Sequence, residues 1–180
     1  GKRVAVIENE FGEVGVDNEL LRAGDEQIVE MNNGCICCTV RGDLVRILGE
    51  LATKRDAGAL AFDRVVIETT GLAEPGPVAQ TFFMDEAVAQ RYLLDAVVTL
   101  VDAVHAGTQL DEHEAAQAQV GFADRLLLSK TDLVAADALN ELQERLAAMN
   151  PRAPQLAVHF GAMPLAEILD VRGFNLNATL

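Results

Sequence analysis

All three cysteines of this 180-residue chain fall within four consecutive positions, as Cys35, Cys37 and Cys38 in the stretch NNGCICCTV (residues 32–40). Thiolates bind zinc, cobalt and similar metals, and neighbouring thiols can also act as redox partners. The spacing weighs against redox chemistry: adjacent cysteines join only through a strained ring, and thioredoxin-like motifs use C-x-x-C. A closed structural zinc site takes four ligands in a tetrahedron, so three thiols leave at least one position open. Open coordination suits transfer of a metal better than storage. In an extended segment Cys35 and Cys37 face one way and Cys38 the other, so convergence needs a sharp turn after Gly34. Glu8 and Glu13 are the chosen candidates for completing the shell, with His105, His113 and His159 behind them. The bland alternative is three small buried hydrophobic residues.

Two further segments carry chemistry. After the apolar run RVVI comes ETTG, with Glu68 at the strand end and Gly71 three residues on. A carboxylate there can hold a water on Mg²⁺, and a glycine N–H can approach a γ-phosphate that a side chain would block. The bland reading is a Thr-Thr-Gly turn before a helix opened by Pro75. After RLLL comes SKTD, residues 129–132. Asp132 can accept hydrogen bonds from N1–H and the exocyclic amine of guanine, a pair of donors that adenine lacks, while Lys130 lays its methylene stem along the base. Ser129 stands where asparagine is more usual. Alone, SKTD also reads as a helix cap.

These segments need a scaffold with strand ends gathered along one edge. RVAVI (3–7), RVVIE (64–68), AVVTLVD (96–102) and RLLLS (125–129) are nearly continuous apolar runs, the pattern of strands covered on both faces. Weaker strands are expected at 27–31 and 155–159. Leu44, Ile47, Leu48 and Leu51 repeat with helical spacing, as do Leu139, Leu142, Leu146 and Met149, with Asp137 as expected N-cap and Pro151 beyond the end. The alternation predicts an α/β fold, doubly wound, with a mostly parallel sheet and flanking helices. Ligands in such folds gather outside the carboxyl ends of the strands.

Bulk properties bound the function. The length suits one domain with its own core, with no repeat, low-complexity tract or linker inside it. With 28 Asp and Glu against 14 Lys and Arg, the net charge is −14, which repels nucleic acid. No apolar run approaches a membrane span, and the cysteine usage fits a reducing, cytoplasmic compartment.

The ordered set VIENEFGEVGVD, NGCICC, VIETTGLAEPGP, LVDAVHA and LLLSKTD resembles the CobW-like family of P-loop GTPases over residues 1–174. The resemblance implies a protein that binds and hydrolyses GTP with Mg²⁺, binds zinc or cobalt, and delivers metal to a client metalloprotein. It matches Glu68 and Gly71 to the Walker-B-like segment, Lys130 and Asp132 to the guanine-reading segment, Cys35, Cys37 and Cys38 to the metal motif, and residues 8–17 to the first switch. A phosphate loop of the type G-x-x-G-x-G-K-T is expected before the first strand and is absent from the sequence. The chain is therefore expected to be an N-terminally incomplete GTPase-like domain, with residues 175–180 opening a linker to a further domain and two inner strand edges left unpaired. The rival functions are a zinc-buffering module and a redox module without nucleotide chemistry. The client, self-association into a homo-oligomer and the water-orienting residue are not specified by the sequence.

Overall fold

A computed structural model describes residues 3–9, 27–31, 39–71 and 73–174. The chain forms two compact units, residues 1–73 with 80–92, and residues 74–79 with 93–180. Each is built on a three-stranded, wholly parallel sheet.

In the first unit the strand order is β2-β1-β3, with β1 at Val4–Asn9, β2 at Gln27–Met31 and β3 at Arg64–Glu68. Helix α1, Thr39–Asp56, connects β2 to β3. Its Leu44, Ile47, Leu48, Leu51 and Ala52 form one buried stripe at helical spacing. Ala5 and Ile7 of β1 are buried as well. Arg3 and Asp63 clamp the sheet at its start: Arg3 Nε, Nη2 and backbone N–H donate to the Asp63 carboxylate, and the Asp63 N–H donates to the Arg3 carbonyl. Helix α2, Pro75–Met84, begins at the expected proline and contributes residues 80–84 to this unit, and the single-turn α3, Glu86–Ala89, is capped by Asp85, whose Oδ1 accepts from Val88 N–H. Tyr92 donates its hydroxyl to the carbonyl of Leu48.

In the second unit the order is β4-β5-β6, with β4 at Val98–Asp102, β5 at Arg125–Ser129 and β6 at Gln155–Ala157. Helices α4, Ala106–Glu112, and α5, Glu114–Phe122, lie between β4 and β5, and α6, Ala136–Met149, between β5 and β6. Leu126 and Leu128 from β5 join Val101, Leu110, Val120, Leu142 and Leu146 in one core. Burying each such leucine contributes about 1.5–3 kcal/mol. Buried Asn150 closes this core: its Nδ2 donates to the carbonyls of Val120 and Ala123 around the C-terminus of α5, where Val120 also accepts the Ala123 N–H.

Several expectations need correction. Only β5, the central strand of its sheet, is buried along its apolar run. Strands β3 and β4 are each bonded on one side only among the described residues, in line with the two unpaired inner edges expected, but Val66, Val98 and Leu100 are exposed, Leu100 by 67%, rather than covered. Strand β4 starts later than expected because Asp124 takes both backbone groups of Val97, accepting from its N–H at 2.8 Å and donating its own N–H to its carbonyl. Helix α6 is preceded by Ala135 as N-cap, with no side-chain cap; Asp137 lies inside the first turn, where its charge favours the helix dipole. The parallel α/β architecture is as expected, with two three-stranded sheets among the described residues.

Candidate functional site

The carboxyl ends of β4, β5 and β6 hold a connected polar cluster. Ser129 ends β5, and Lys130 follows in the left-handed region at φ 57° before a single 3-10 turn, Thr131–Leu133. That reversal sends the chain out of the sheet at the point where Lys130 and Asp132 project. The Lys130 Nζ donates to Asp102 Oδ2 at 2.7 Å. Asp102, the last residue of β4, also receives the Val104 N–H on Oδ1 and contacts His105 Nδ1 at 3.0 Å. Partial burial pushes the Asp102 pKa up; Lys130, His105 and the Val104 amide together outweigh this and hold the carboxyl well below the usual carboxylate range.

Ser129 turns inward instead. Its Oγ donates to the Val101 carbonyl at 3.2 Å, and its own carbonyl accepts from Ala103 N–H, so the side chain stitches β5 to β4. Asp132 is exposed, with His159 Nδ1 3.7 Å from its Oδ1. The exposed carboxylate and the lysine stem therefore stand at one strand end, where a flat polar ligand can reach both.

Asp102 is the residue that sequence reasoning missed. It lies within LVDAVHA, and the signal was available: an acid at the end of an apolar strand, three residues before a histidine. His105 lies just before α4 and His113 separates α4 from α5; neither belongs to a group of three or more metal-ligating side chains among the described residues.

In the first unit, Glu68 ends β3 and is exposed. The register sets Glu8 of β1 directly beside it, with Glu30 of β2 on the other side. The sequence assigned Glu8 and Glu68 to different ions, yet their backbones are cross-strand neighbours. A Cβ built on Gly71 would meet no atom of the described residues within 4 Å. Between them Thr70 Oγ1 is buried with no hydrogen-bond partner among the described residues. An orphaned buried hydroxyl beside an open glycine and a strand-end carboxylate fits a site that a hydrated cation and a phosphate would complete. Glu13, Cys35, Cys37 and Cys38 lie outside the described residues, as does all but the start of the expected first switch.

A cavity of about 490 Å³ in the second unit holds none of these residues. It is lined by Phe122, Asp124, Arg125, Asn150 and Arg152 among others, at the amino end of β5, away from Lys130 and Asp132.

Residues 1–157 match the CobW/HypB/UreG nucleotide-binding domain. The chain belongs to this family. It is similar to the zinc chaperone YjiA of Escherichia coli (strain K12), 51% identical over 98% of this chain and 55% of that protein. It is also similar to the zinc-regulated GTPase metalloprotein activator 1 of Schizosaccharomyces pombe, 36% identical over 97% of this chain and 43% of the relative. Among solved structures, the Zn(II)-bound YjiA GTPase from E. coli matches with a TM-score of 0.74 at 43% identity, over 97% of this chain and 54% of that one. The chain thus spans about half the length of these CobW-family relatives.

Proposed function

We propose that this chain is the guanine-nucleotide-binding part of a metal chaperone that hydrolyses GTP and couples nucleotide state to delivery of zinc or cobalt to a client metalloprotein. The observation that carries the reading is the strand-end pair Lys130 and Asp132, exposed beside Asp102 in a member of a nucleotide-binding family. Asp132 would read the base edge, Lys130 would cover the base, and Ser129 would hold the turn that presents them. Glu68 and Gly71 would serve Mg²⁺ and the γ-phosphate. Hydrolysis would then release the loop they belong to.

Metal cargo is assigned to Cys35, Cys37 and Cys38, with Glu8 and Glu13 as oxygen ligands. A second Zn(II)-bound YjiA structure is a triple mutant in which one glutamate and two consecutive cysteines, spaced as Glu8, Cys37 and Cys38 are here, are replaced by alanine; that variant holds zinc without those side chains, so it does not by itself assign Glu8. Glu8 is also the register neighbour of Glu68, so nucleotide and metal groups would share one sheet edge. Shared groups would make each ligand alter the other's affinity by the same factor.

The test is zinc affinity of the full-length protein measured with a non-hydrolysable GTP analogue and with GDP, alongside GTP turnover. A difference in zinc affinity with turnover supports the reading. Equal affinities remove the coupling, and zinc binding with neither nucleotide binding nor GTP turnover would favour a plain zinc buffer.

A further inference from the structure

Phe160 is the least expected side chain of the second unit. Residues 159–162 form a tight turn closed by Ala162 N–H donating to the His159 carbonyl at 2.9 Å, and both central residues have positive φ, 46° for Phe160 and 73° for Gly161. Positive φ at both centres is the signature of a type I′ turn, a place for Asn, Asp or Gly. A phenylalanine there is strained, and it is not held by the core, since 95% of its surface is exposed. Neither the turn nor packing accounts for an aromatic ring at this position. Its one ring contact points toward the base-reading residues. The ring stands edge-on to His159 at 4.5 Å between centroids and 78° between planes, and His159 in turn lies 3.7 Å from Asp132.

We propose that Phe160 is a stacking platform for the purine base whose edge Asp132 reads. The inference deepens the guanine-nucleotide reading and rests on it. The strained turn lifts a flat apolar face out of the carboxyl end of β6, next to the strand end of β5 where Lys130 and Asp132 emerge. Stacking on an aromatic ring supplies affinity without choosing among bases, since every base has a π-face. Asp132 then supplies the choice of guanine. Affinity and selectivity are thereby divided between two adjacent strand ends.

Equilibrium binding of GDP to the full-length protein tests this with four variants. Phe160→Ala is expected to weaken GDP about 5- to 100-fold. Phe160→Trp is expected to keep wild-type affinity, whereas Phe160→Leu, apolar but not aromatic, fails to restore it. Asp132→Asn tests the base reading itself. If D132N weakens GDP and F160A does not, the stacking role is overturned and the base reading stands; the ring then belongs to some other contact, such as a protein surface. If D132N leaves GDP binding unchanged, the base reading falls and the stacking proposal with it. A GDP defect in F160A that Trp fails to rescue and Leu repairs also overturns stacking. Melting of Phe160→Gly separates binding from folding, because glycine relieves the positive φ and is expected to melt at or above the wild-type temperature.

Discussion

Lys130 Nζ and Asp102 Oδ2, 2.7 Å apart, tie the turn after β5 to the last residue of β4. The bond does more than neutralise two charges. Lys130 sits in the left-handed region, so its backbone already aims outward, and Asp102 fixes how far its ammonium can swing. The carboxylate itself is held by the Val104 amide, which makes the pair less free than an ordinary surface ion pair.

Replacing Asp102 with asparagine keeps the shape and removes the charge. Stability at pH 7 is expected to fall by about 1 kcal/mol. The folded-state pKa of Asp102 is depressed, so its contribution is present above the unfolded value of about 3.9 and is lost as pH falls through the folded value. Thermal melts of wild type and D102N should therefore differ at pH 7 and converge in the acid range below about pH 4.

Asp132→Asn is expected to exchange one base preference for another. Asparagine can still accept from N1–H but presents an N–H where the guanine amine needs an acceptor. Guanine nucleotide affinity is expected to drop about tenfold or more, and xanthine nucleotide, with a carbonyl in place of the amine, to gain. Competition between GDP and XDP reads the switch.

Gly71→Ala separates folding from ligand binding. Because the added methyl meets no atom of the described residues, the melting temperature is expected to stay within about 2 °C of wild type. If Gly71 faces a γ-phosphate, the GTP analogue weakens while GDP does not. Equal effects on both nucleotides would place the methyl elsewhere.

Cys37→Ser and Cys38→Ser together are expected to lower zinc affinity at least about 100-fold, since hydroxyls replace thiolates in the shell. Nucleotide binding in the absence of metal should be unchanged. Competition against a chelator of known affinity gives the first value, and GDP titration the second.

Asn150→Leu supplies a structural control far from the site. It removes the side-chain donor shared by the carbonyls of Val120 and Ala123; Val120 keeps the Ala123 N–H, so the expected loss is about 1–3 kcal/mol. Chemical denaturation should show the loss of stability, with GDP affinity of the remaining folded protein unaltered.

The sequence was most legible where a side chain is governed by its own strand or helix. The leucines of β5 announced a central strand, and the four apolar positions of α1 announced its buried face. Val66, Val98 and Leu100 misled because an apolar run reads the same whether or not its face is covered. Helix α6 took Ala135 rather than Asp137 as its cap, a difference of two residues that composition cannot resolve. Lys130 and Asp132 were legible as a motif, but their partner Asp102 was not, because the bond joins residues 28 apart in sequence. Phe160 escaped for a related reason: in the text of the sequence it extends an apolar strand, and only the φ of Phe160 and Gly161 shows that the strand has already turned.

The one-sided bonding of β3 and β4 carries a consequence for handling the protein. Among the described residues each leaves a row of backbone donors and acceptors that another extended chain could occupy, with Val98 and Leu100 exposed on β4. Such edges promote strand-to-strand aggregation. The net charge of −14 keeps molecules apart at low ionic strength, and that protection fades as added salt shortens the Debye length, to about 3 Å at 1 M. Colloidal stability of this chain is thus electrostatic in origin: light scattering should stay low in dilute buffer and climb with sodium chloride, the reverse of a protein whose association is held together by ion pairs.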